Sequence, residues 1–148
     1  MITPQFTPAD IERMLQEKIA KYEEKIIRIL RNVGEKCINE AREYGSYQDQ
    51  TGNLRSSIGY IVLKEGKPIE KGGFAPTERG TEGGKSGQKE GEAFINKVTS
   101  QYPKGFVLVV VAGMKYASYV EARNYNVLTS AELLAEREVP KLLKALSQ

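Results

Sequence analysis

Histidine and tryptophan are absent from the 148 residues, and cysteine occurs once, as Cys37. No intrachain disulfide can form from a single cysteine, which fits a reducing compartment. Zinc, haem and His-based acid/base sites lose their usual ligands, so no metal and no cofactor is expected. No run approaches the roughly 18 to 20 uninterrupted apolar residues of a membrane span. The opening MITPQFTPADIE has no basic stretch followed by an apolar one, so it does not read as a secretory signal. Excess charge of one sign is also scarce, at a formal +3.

Hydrophobic residues make up 40% of the chain and charged ones 28%, enough for a core and a solvated surface in one domain. Residues 7–44 hold eight basic and eight acidic side chains, and residues 64–92 six of each, so the basic excess lies after Ala93. That C-terminal third could face DNA or an acidic partner. Without a dense Lys/Arg cluster interleaved with aromatics, it reads first as ordinary surface.

The most apolar stretch is Phe106 to Ala112, FVLVVVA, bounded by Pro103-Lys104-Gly105 and Gly113. It predicts a central strand buried on both faces. From Lys115 to Arg123 the period changes, and Tyr116, Tyr119, Val120 and Arg123 share one side of a short helix.

Thr7-Pro8-Ala9-Asp10 is a helix start, with Thr as cap, Pro at the first helical position and an acid in the first turn. Apolar residues then recur in steps of three and four from Ile11 to Tyr44. The spacing predicts one helix over 7–44, about 55 Å long at 1.5 Å per residue. Gly34 marks an expected bend. A helix that long outreaches the globule, so it bends over the sheet or a neighbouring subunit buries part of its stripe. Cys37 lies on the stripe and is expected in the core.

Residues 51–70 predict a first hairpin, with a strand over Ser57–Lys64, a turn at Glu65-Gly66 and a return strand over Lys67–Glu70. Gly59 is a candidate bulge or close approach. Lys71 to Gly91 has seven glycines and only Phe74 as a large apolar group, so it reads as a long mobile loop. A short helix over Glu92–Tyr102 precedes the central strand. Thr129 and Glu132 form a capping box for a last helix, which Pro140 is expected to kink or split near Glu136. The whole predicts an α+β fold: a long N-terminal amphipathic helix on a small, mostly antiparallel sheet, a short helix after the central strand, and a C-terminal helix.

Three stretches invite a catalytic or interface reading. GTEGGKSG, Gly80 to Gly87, suggests a phosphate loop, but the glycine five residues before Gly-Lys-Ser is Arg79 instead. Glu121 has no second acid whose spacing forces it alongside, so carboxylate-pair hydrolysis is unsupported. Tyr116, Tyr119 and Tyr125 form an aromatic cluster, read either as core or as a tyrosine-rich subunit interface.

Two motifs in order carry a resemblance. Thr51-Gly52-Asn53-Leu54-Arg55-Ser56-Ser57-Ile58 is a T-G-x-L-R-x-S-I element leading from the long helix into the first strand. Tyr116-Ala117-Ser118-Tyr119-Val120-Glu121 is a Y-A-x-Y-V-E element after the apolar strand Val107 to Gly113. With the closing helix, the chain resembles the tail-completion and head–tail joining proteins of long-tailed double-stranded DNA phages, the lambdoid gene-product-ten-like group. The resemblance implies a virion protein, made in the bacterial host cytoplasm, which forms a hexameric or similar ring and contacts other neck or tail proteins. It implies no catalysis. Thr51, Gly52, Leu54, Arg55, Ser57, Tyr116, Tyr119 and Glu121 are then motif or interface candidates. DNA would pass through the ring, and Lys97, Lys104, Arg137, Lys141 and Lys144 are candidates to face it without sequence preference. Two other readings stand beside this one: a small nucleic-acid-binding module, and a metal-dependent hydrolase using Glu121.

Overall fold

The computed structural model describes residues 6–43, 52–77, 80, 84–114, 117 and 126–146. Helix α1 spans Pro8–Glu43. A four-residue helix α2, Asn53–Ser56, leads into strand β1, Ile58–Lys64. Strand β2, Lys67–Gly73, helix α3, Lys85–Thr99, strand β3, Phe106–Ala112, and helix α4, Thr129–Leu146, follow. The fold is α+β, as the spacing predicts. Among the described residues, no helix is long and apolar enough to cross a membrane.

The sheet is antiparallel throughout, in the order β2-β1-β3. Among the described residues the central strand is therefore β1, and the apolar run Phe106–Ala112 lies at an edge, correcting the expectation. Six of the seven β3 residues are only half-buried, whereas β1 is buried from Ile58 to Leu63. An apolar run reports that both faces of a strand are covered; it carries no information on whether both edges are paired.

Alternation along β1 and β3 separates two layers. Tyr60 pairs with Val110 and Val62 with Leu108, and this face packs on α1 and α4 through Val33, Cys37 and Ala131. Ile61 pairs with Val109 and Leu63 with Val107, and this face packs on Phe74 and on Ile95 of α3. The sheet is thus sandwiched between α1 with α4 on one side and α3 on the other.

The glycine-rich stretch is not one long loop. Strand β2 runs to Gly73 and α3 begins at Lys85, leaving a connection over 74–84. Gly84, Gly87 and Gly91 fall at helical spacing on one side of α3 and bring it against backbone. A Cβ on Gly91 would lie 2.6 Å from the Ser57 carbonyl oxygen and from the Phe74 ring, and one on Gly87 would enter Asn53. The Gly87 N–H donates to Asn53 Oδ1 at 3.0 Å. Glycine here permits close packing between segments far apart in sequence, a use that glycine content alone does not reveal.

Gly34 seats the Tyr60 ring, since a Cβ there would lie 2.6 Å from its Cδ2. The Tyr60 hydroxyl donates to Glu35 Oε1 at 2.9 Å. At α4, the Ser130 N–H donates to Asn126 Oδ1 at 3.0 Å, so the Asn126 amide adds a bond at the helix start, ahead of the expected cap Thr129. The helix then runs unsplit past Pro140. The expected helix after β3 lies largely outside the described residues.

Candidate assembly surface

The T-G-x-L-R-x-S-I element builds a corner inside the molecule. Gly52 adopts φ 82°, a left-handed conformation that glycine accepts without strain. The Ser56 N–H donates to the Gly52 carbonyl at 3.1 Å, and the Ser57 hydroxyl to the Leu54 carbonyl at 2.7 Å. The Gly113 N–H donates to the Ser57 carbonyl at 3.0 Å, tying the corner to the end of β3. Leu54 is fully buried, and Arg55 is nearly so, its Nε donating to the Arg42 carbonyl at 3.1 Å. Gly52, Leu54, Arg55 and Ser57 therefore help hold this chain's own core together. Thr51, Tyr116, Tyr119 and Glu121 lie outside the described residues.

The five candidate DNA-facing cations are all exposed. Lys97 rides on α3, on one side of the sheet, and Lys104 precedes β3. Arg137, Lys141 and Lys144 ride on α4, on the other side. They are distributed over the body rather than gathered into one patch, and Arg137 lies 3.6 Å from the Glu138 carboxylate.

The feature that stands out is the free half of α1. The helix starts as its sequence dictates: the Asp10 N–H donates to Thr7 Oγ1 and the Thr7 N–H to Asp10 Oδ2, both at 3.1 Å. The bonds from Thr7, its backbone N–H foremost, hold the Asp10 carboxyl below the ordinary carboxylate range. Leu15, Ile19, Tyr22, Ile26, Ile29 and Val33 then follow in alternating steps of four and three, a heptad rhythm. The body covers only the C-terminal part of that stripe. Val33 is 0% and Leu30 7% exposed, whereas Leu15 is 56%, Ile19 57% and Tyr22 46% exposed. Phe6, Ile11 and Met14 extend the uncovered patch. Glu23 accepts from Lys64 Nζ at 2.6 Å at the tip of β1. Among the described residues, no hydrogen bond or ion pair joins α1 to another element on the N-terminal side of Glu23.

Length explains the overhang. Thirty-six residues make a rod of about 54 Å, whereas a compact body of this chain length is only about 40 Å across. The projecting patch exposes on the order of 600 Å² of apolar side chain, at the upper end for the largest patch on a monomer. A helical arm this short draws little stability from propensity alone and is normally held by packing along its apolar face.

On the body, Cys37, Leu108, Val110, Leu128, Ala131 and Ala135 line a groove of about 310 Å³ between β3 and α4, with Glu132 and Glu136 at its rim. Cys37 Sγ donates to the Ala131 carbonyl at 3.4 Å, and burial pushes its thiol up to about 11. It is a core residue, as its place on the stripe predicts. Sequence reading missed this groove because its walls come from three separate elements.

Neither a protein-family model, nor a curated protein, nor a solved structure matches this chain.

Proposed function

We propose that this chain is a bacteriophage or prophage virion protein of the head–tail junction or tail end, working by ring assembly rather than catalysis. The observation that carries the reading is the uncovered apolar half of α1. A rigid arm capped at its start and bare along its stripe is suited to overlap a neighbouring subunit. The T-G-x-L-R-x-S-I and Y-A-x-Y-V-E elements, in their order between the long helix and the closing helix, supply the link to tail-completion and head–tail joining proteins.

In this role the body is a building block. The glycine-packed corner at Asn53–Ser57 keeps it rigid, and the arm makes the contact. DNA passing through the ring would meet exposed lysines and arginines from several subunits, a collective and salt-sensitive attraction. The distribution of Lys97, Lys104, Arg137, Lys141 and Lys144 over both sides of the sheet favours such diffuse contact over a dedicated nucleic-acid-binding face.

Negative-stain imaging of the purified protein, concentrated stepwise, tests the reading. Closed rings of about six subunits are expected. Particles that stay monomer-sized at every concentration would overturn it.

A further inference from the structure

We infer that the α1 arm of one copy docks in the β3–α4 groove of a second copy, with Lys18 and Lys21 of the arm facing Glu132 and Glu136 of the groove. The inference rests on the self-assembly proposed above and names the surface that receives the arm.

The arm and the groove each lack what the other has. The arm presents Phe6, Ile11, Met14 and Leu15 around an apolar notch, with Lys18 at its margin. The groove is floored by Leu108, Val110 and Ala131 and rimmed by two carboxylates. Among the described residues, Lys18, Lys21, Glu132 and Glu136 have no ion-pair partner. An amphipathic helix laid in an apolar groove, basic flank against acidic rim, satisfies both surfaces at once.

Geometry excludes the chain's own arm. Cys37 lines the groove and belongs to the same helix as Leu15, about 33 Å away along a continuous rod. The contact must therefore come from another molecule. It joins two different surfaces, so it is head-to-tail, the class of contact that closes rings when its rotation allows. Pairing arm to arm would leave the acidic groove open. An antiparallel arm pair would also bring Lys18 toward its own copy.

Disulfide trapping tests this directly. Leu15→Cys and Ala135→Cys are combined in a Cys37→Ala background whose fold is checked by circular dichroism. A disulfide needs Cα atoms within about 7 Å, so any 15–135 link must form between molecules. The expected result is a ladder of covalent oligomers whose digests contain the 15–135 peptide pair. Lys18→Glu with Lys21→Glu should weaken assembly at least tenfold, and adding Glu132→Lys with Glu136→Lys should restore it.

Rings whose digests lack the 15–135 pair, or contain only 15–15 pairs, would overturn the docking while leaving ring assembly standing. Open chains carrying the 15–135 pair would uphold the docking and count against the ring. Monomers with no link at high concentration would overturn both.

Discussion

The two halves of α1 carry one apolar stripe in one rhythm and meet opposite surroundings. From Leu30 to Ala41 the stripe is the core: Val33 and Ala41 are buried, Gly34 holds the Tyr60 ring, and Cys37 touches α4. From Phe6 to Tyr22 the same kind of residue faces solvent. Nothing in the local pattern separates them, because periodicity reports that a face exists and says nothing about what covers it. The body is too small to cover both halves. That difference divides the helix into a part that serves folding and a part that the body leaves uncovered.

Substitution at matched positions breaks the comparison most sharply. Val33→Asp buries an unpaired charge and should cost more than about 4 kcal/mol, leaving no cooperative thermal transition. Ile19→Asp, two heptads earlier on the stripe, should keep the far-ultraviolet circular dichroism of a folded monomer. If Ile19→Asp also unfolds the chain, the arm belongs to the core.

Gly34→Ala comes next. Alanine would ordinarily stabilise a helix interior by about 1 kcal/mol. Here its methyl meets the Tyr60 ring, and overpacking should cost about 1–3 kcal/mol, seen as a lower urea midpoint. In the arm the sign reverses, and Ala20→Gly should show only the propensity loss, about 1 kcal/mol or less.

A smaller contrast is chemical. Burial raises the Cys37 thiol from 9.0 to about 11. A raised acid favours the protonated fold, so its contribution is intact below pH 9 and is lost as pH climbs toward 11. Stability followed by urea titration should fall across that window. At neutral pH, in solutions dilute enough to hold the chain as a monomer, Cys37 should resist a thiol reagent, while a Leu15→Cys thiol in the arm should react at the rate of an exposed cysteine. Equal rates would contradict the division of the helix.

Much of this architecture is legible in the sequence. The bounds of α1, the Thr7 cap, the β1–β2 hairpin turn and the limits of β3 follow from periodicity and local capping chemistry, which depend on neighbours in sequence. What is not legible shares another cause. By sequence Gly34 suggests a bend and Gly84, Gly87 and Gly91 looseness, yet each is a small residue at a close approach, and the partners, Tyr60, Ser56, Asn53 and Phe74, lie far along the chain. Strand β3 looked central because its faces are apolar, but its edge position depends on which strands pair. The overhang of α1 could be foreseen from its length. The groove at Leu108, Val110 and Ala131 could not, since it exists only once three elements meet.

Multi-angle light scattering behind size-exclusion chromatography, run on the native chain and on a Leu15→Glu, Ile19→Glu variant over the same concentrations, tests the role of the arm most directly. The native chain should rise to the mass of a closed oligomer while the variant stays at the 16.5 kDa of one chain with unchanged helicity. A native chain that remains at one-chain mass, or a variant that assembles as the native chain does, would contradict it.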